Sequence, residues 1–126
     1  MKDIQNREDL ENLIHSFYTK LLQDDSINFI FTAIARIDLE HHLPVLVDFW
    51  EQVLFNSGNY TNNPLKVHMD LNHKIKLTET HFSIWLGHFN ITVDSLFAGE
   101  NAEKIKTRAL SIATVMKIKL AEANVS

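Results

Sequence analysis

Apolar positions along the chain recur every third and fourth residue over long stretches, and that spacing predicts amphipathic helices rather than strands. The clearest follows Asn6, a suitable cap, with Leu10, Leu13, Ile14, Phe17, Tyr18, Leu21 and Leu22 on one face and charges elsewhere. Tyr18 lies on the apolar stripe, so its hydroxyl needs an inward partner. It is either a core tyrosine bonded to backbone or a donor aimed into a pocket. Asp24-Asp25-Ser26 breaks the run, and Ile27, Ile30, Phe31 and Ile34 open a further apolar segment.

Asp38 can cap a helix running to about Phe55, with His42, Leu43, Leu46, Phe49, Trp50, Val53 and Leu54 inward. Pro44 lacks a backbone N–H and clashes with the preceding turn, which predicts either a start near His42 or a kink. Asn56-Ser57-Gly58-Asn59 is a turn signal. Asn63 and Pro64 then prime a short helix that puts Leu65, His68 and Met69 on one face. His68 is either a buried structural histidine or a metal ligand.

Thr78 caps the next long helix, and Leu77 can staple onto Phe82 inside it. Its apolar arc is Phe82, Leu86, Phe89, Val93, Leu96 and Phe97, with Trp85 at the edge and His81 and His88 just beyond. Gly99 is expected to close this helix. A last helix, from about Asn101 to Leu120, turns Ile105, Ala109, Ile112, Val115, Met116 and Leu120 inward, and the tail from Ala121 to Ser126 is expected to fray.

With only 3 Gly and 2 Pro in 126 residues, the chain has too little punctuation for many short strands, so the expectation is a single all-α domain over 1–126. The net charge of -4 and the lack of a basic patch speak against nucleic acid and anionic membranes. With 0 Cys there is no disulfide framework, thiol nucleophile, zinc–thiolate site or iron–sulfur cluster. No apolar run suits a signal peptide or a membrane span, which makes the cytoplasm the expected compartment. Asn59-Tyr60-Thr61 and Asn90-Ile91-Thr92 are then chance matches to a glycosylation pattern.

Nucleophile elbows, phosphate loops, His-Glu-x-x-His pairs and calcium loops are all missing from the sequence. His81 and His88 lie two turns apart on one face, but the pattern brings them no third ligand. What remains is a set of inward polar groups on separate helices: Tyr18, His42, His68 and Trp85. Polar groups converging on one apolar space suggest a pocket.

Phe17-Tyr18, Ile30-Phe31, His42 seven residues before Phe49-Trp50, the run Pro64-Leu65-Lys66-Val67-His68-Met69-Asp70-Leu71, and Phe82-Ser83-Ile84-Trp85-Leu86 together resemble the group III truncated haemoglobins. The resemblance spans nearly the whole chain and rests on the order and spacing of these pieces. It implies a shortened globin, two helices packed over two others around one b-type haem, with His68 as the proximal iron ligand. Tyr18 and Trp85 would line the distal pocket, His42 would stand at its entrance, and Phe31 would pack on the haem edge. Leu46, Phe49, Leu65, Met69 and Phe82 would supply apolar haem contacts, with Arg36, Lys66 and Lys74 as candidate propionate partners.

The resemblance also implies dioxygen, nitric oxide and carbon monoxide as ligands. Two donors beside the ligand suit tight binding, or dioxygenase or peroxidase-like turnover with electrons from a separate reductase. The competing reading is a haem-free helical interaction or regulatory module whose inward polar groups satisfy one another. A Soret band in the purified protein separates the two.

Overall fold

The computed structural model describes residues 1–30, 39–56 and 77–124, with side chains placed over 1–30, 43–56 and 77–122. Among the described residues the elements are α1 (Arg7–Gln23), α2 (Leu39–Phe55), α3 (Glu79–Leu96) and α4 (Glu100–Asn124). Helix α1 pairs with α2 and α3 with α4, and across the layers α1 meets α3 while α2 meets α4. That closed set of contacts is a two-over-two sandwich, the all-α arrangement expected from the sequence.

Local chemistry sets the helix ends. Asn6 is extended and its side chain accepts the Asp9 backbone N–H, while Asp24 ends α1 by donating its own N–H to the Leu21 carbonyl. Thr78 caps α3, and His81 closes a capping box by accepting the Thr78 N–H at 3.1 Å through Nδ1. Leu77 and Phe82 are both buried, as a hydrophobic staple requires. Helix α2 begins at Leu39, directly after Asp38, and contains Pro44, so of the two alternatives at Pro44 the start near His42 is set aside. Packing of the rest of α2 outweighs the backbone bond that Pro44 forgoes.

Between the layers lies a continuous core, with Leu10, Leu13, Phe17 and Leu21 from α1, Val47, Trp50 and Leu54 from α2, Phe82, Phe89 and Val93 from α3, and Ala102, Ile105, Ala109, Met116 and Leu120 from α4. Three expectations for the C-terminal half are corrected. Val115 is 51% exposed, because Ala109, Ala113, Met116 and Leu120 define the inner arc and Val115 lies on the outer side of it. Helix α4 continues through Asn124 instead of fraying after Leu120.

Gly99 does not close α3, which ends at Leu96 with Phe97 in an extended conformation. It sits instead at the start of α4 with φ +145, where an added Cβ would stand 2.5 Å from Asp3 Cγ. Its bareness lets the N-terminal segment lie across the α3–α4 turn. There Ala98 N–H donates to the Lys2 carbonyl, and Asp3 caps α4 by accepting from the Asn101 and Ala102 backbones. The segment also buries Ile4 completely.

Candidate functional site

Tyr18 projects from α1 into the core and is only 6% exposed. Burial pushes its phenol well above the ordinary value, so the group stays a neutral O–H donor at physiological pH. The neighbouring Phe17 ring meets Tyr18 edge-on at 5.4 Å and crosses to α3, where it contacts Trp85 at 5.7 Å and Phe89 at 5.1 Å. Trp85 stacks on Phe89 at 5.6 Å, Phe89 stacks on Trp50 of α2 at 5.3 Å, and Trp50 meets Phe49 edge-on at 5.0 Å. One aromatic network therefore joins Tyr18, Trp85 and Phe49, three of the side chains singled out in the sequence, across three helices.

The network is dry at its centre and open at its edge. Phe17, Trp50 and Phe89 are buried, whereas Trp85 and Phe49 are half-buried. Leu46, Phe49 and Val53 follow one another on α2 at spacings of three and four, and with Ile84, Trp85 and Leu86 of α3 they pack against the core without being enclosed by it. Half-covered apolar side chains beside a buried phenol and a half-buried indole fit a flat, largely apolar macrocycle such as haem better than they fit water. A groove of about 450 Å³, lined by Phe49, Gln52, Val53 and Asn56 of α2 and Arg108, Ser111 and Ile112 of α4, opens on the Phe49 side.

The larger cleft, about 780 Å³ between the N-terminal segment, α1 and α2, is lined by none of the expected site residues among the described side chains. Lys2 and Arg7 in its lining are already paired: Lys2 with Asp9 at 2.9 Å, and Arg7 with Asp48 at 2.7 Å and Glu51 at 3.2 Å. The Asp48 contact, opposed by burial and helped by Glu51, holds the Arg7 guanidinium above its ordinary value. The Arg7 pairs fasten α1 to α2.

Phe31, Leu65, His68 and Met69 lie outside the described residues, as do Arg36, Lys66 and Lys74; His42 lies in α2 with its side chain outside them. Phe82 is buried at the first turn of α3. Among the described residues no three His, Cys, Asp or Glu side chains converge to hold a metal, and no helix is long and apolar enough to cross a membrane. His81 and His88 have other roles. His81 belongs to the α3 capping box, and His88 Nε2 lies 2.7 Å from Asp24 Oδ2. The second pairing joins distant residues and has no local signature of its own, although Asp24 two residues before Ser26 is the signature of an Asx turn that holds its carboxylate in place.

A two-over-two helical sandwich with an aromatic core left half-open at one edge defines the class: a globin. A family model described as bacterial-like globin matches residues 2–119. The chain is 32% identical over 112 residues to the group 3 truncated hemoglobin ctb of Campylobacter jejuni, covering 86% of each protein. It superposes on the crystal structure of a group III truncated hemoglobin from Campylobacter jejuni with a TM-score of 0.84 and 30% identity, covering 95% of each chain. The protein belongs to the group III truncated haemoglobin family, and the chemistry of globins is the binding of diatomic gases at haem.

Proposed function

We propose that this chain is a single cytoplasmic domain that holds a b-type haem through His68 and performs chemistry on diatomic ligands rather than storing them. The observation that carries the reading is the ring contact of Phe17 with both Tyr18 and Trp85, which ties the two candidate donors into one rigid aromatic unit. When bound, the haem would supply a redox-active iron with a coordination position open to dioxygen, nitric oxide or carbon monoxide. His68 would be its protein ligand, because a neutral imidazole is a strong donor to iron.

The chain's own residues then have separable tasks. Tyr18 keeps its proton at Oη across the physiological range and so can donate it in a hydrogen bond, and the Trp85 indole N–H can only donate. Leu46, Phe49 and Phe82, with Phe31, Leu65 and Met69, would exclude water from the macrocycle, and His42 would guard the entrance on the Tyr18 side. Donors fixed by packing hold a polarised ligand without reorganising, which favours tight binding and turnover of nitric oxide or peroxide over rapid release. A separate reductase would return the electrons that such turnover consumes.

The test is the visible spectrum of the purified protein and of His68→Ala. A Soret band with stoichiometric iron, lost or strongly weakened in the variant, is the expected result. A colourless protein that haemin does not reconstitute would support a haem-free helical module instead, and unchanged pigment in His68→Ala would remove that residue as the ligand.

A further inference from the structure

Trp85 is held on one side by Phe17, and a second tie between the same two helices lies one turn along α3. Asp24 ends α1, and its Oδ1 accepts from the Ser26 backbone N–H at 2.9 Å and from the Ser26 hydroxyl at 2.6 Å. Those bonds leave Oδ2 aimed at His88 Nε2, 2.7 Å away. The Ser26 hydroxyl, then His88, hold the Asp24 carboxyl at about 2, so it is ionised and can only accept. The hydrogen must therefore sit on His88 Nε2, which donates whether the ring is neutral or protonated.

The segment after α1 is tied down as well. Asn28 N–H donates to the Asp24 carbonyl at 2.9 Å, the Asn28 side-chain amide donates to the Leu22 carbonyl at 3.3 Å, and the Phe29 ring meets His81 of α3 edge-on at 6.0 Å. Phe17 and Asp24 are about two turns apart on α1, and Trp85 and His88 about one turn apart on α3. Contact at two separated points fixes how the helices cross, which a single ring contact would leave free to rock. Apolar packing resists separation but is non-directional, whereas a charge-assisted bond of this length is directional.

We propose that Asp24 and His88 are a positioning pair that sets the Trp85 indole relative to Tyr18, and so determines how strongly Trp85 donates to a ligand at the candidate haem site. The inference rests on Trp85 facing that ligand, and the experiment separates the two claims. In the ferrous protein with carbon monoxide as probe, the infrared C–O stretch is recorded for wild type, Trp85→Phe, His88→Ala and His88→Gln. Trp85→Phe shifts the band if Trp85 faces the ligand.

His88→Ala then shifts it in the same direction or splits it into two bands, and His88→Gln, which keeps an N–H at nearly the same reach, restores the wild-type position. If Trp85→Phe moves the band and His88→Ala leaves it in place, the pair is structural only and the proposal is wrong. A band unmoved by Trp85→Phe removes the donor role of Trp85, and the proposal with it. Should the alanine variant fail to fold, His88→Asn, too short to reach Asp24, takes its place with the same expected shift.

Discussion

Asp3 caps a helix that begins almost a hundred residues later: its Oδ2 accepts the Asn101 backbone N–H at 2.8 Å, at a sequence separation of 98. Oδ1 takes the Ala102 N–H, also at 2.8 Å, and the Asn101 side-chain amide donates back to the Ile4 carbonyl. Asp3 and Ile4 are thus part of the fold. Replacing Asp3 with alanine leaves first-turn N–H groups of α4 without their acceptor. A loss of about 1–2 kcal/mol is expected in urea unfolding, with Asp3→Asn intermediate because only one oxygen remains. An unchanged unfolding midpoint in Asp3→Ala would show that this cap contributes nothing.

Acid should expose the same contact. Burial opposes the charge on Asp3 and on Asp9, but backbone N–H bonds, and for Asp9 also the bond from Lys2, outweigh it and hold both below their ordinary value of 3.8. A carboxyl whose folded value is depressed contributes stability that is complete above its unfolded value and is lost as pH falls through its folded value. The urea midpoint should therefore be level from neutrality to about pH 5 and then decline. The decline should be shallower in Asp3→Ala than in wild type. Equal slopes would assign the acid sensitivity to other groups.

Gly99→Ala tests the approach from the other side. The added methyl meets Asp3 Cγ at 2.5 Å and the backbone is left at φ +145, a region closed to most side chains. A loss of about 2 kcal/mol or more is expected in thermal or urea unfolding. A variant as stable as wild type would mean that the N-terminal segment can move away without cost.

Much of this architecture could be read from periodicity. The apolar stripe after Asn6, the Thr78 cap, the Leu77–Phe82 staple and the arc through Phe89 and Val93 are local patterns, and they reappear as α1, α3 and their buried faces. What could not be read depends on contacts between distant residues. Nothing beside Asp3 announces that it caps α4, nothing local marks Gly99 as the place where Asp3 passes, and Asp24 looks like a helix breaker until His88 is seen opposite. Helical spacing alone turns Val115 inward because it gives an arc without fixing its centre; the small residues Ala102, Ala109 and Ala113 let α4 pack closely and set that centre. Tyr18 and Trp85 could each be recognised as polar groups at an apolar face, but their connection through Phe17 is a tertiary fact.

Phe89 is the point at which the three aromatic helices meet, fully buried between Phe17, Trp50 and Trp85. Phe89→Ala removes a ring from a close-packed site and should cost about 3–5 kcal/mol, with Phe89→Leu milder. The fluorescence of Trp50 and Trp85 in the haem-free protein should move to longer wavelength as water reaches them. A small stability loss with unchanged emission would show that the neighbouring rings close over the gap.

Tyr18→Phe isolates one hydroxyl. The phenylalanine keeps the ring that packs edge-on against Phe17, so the fold and the aromatic network should be retained, with melting temperature nearly that of wild type. What disappears is an O–H that burial keeps neutral and donating. If that donor faces a bound diatomic ligand, its loss should speed dioxygen release in stopped flow by roughly tenfold, the equivalent of about 1.4 kcal/mol, with a much smaller effect on association. Carbon monoxide, a poorer acceptor, should be released at nearly the wild-type rate. Equal acceleration for both gases would point to a widened pocket, and no change for either would return Tyr18 to the role of a core tyrosine.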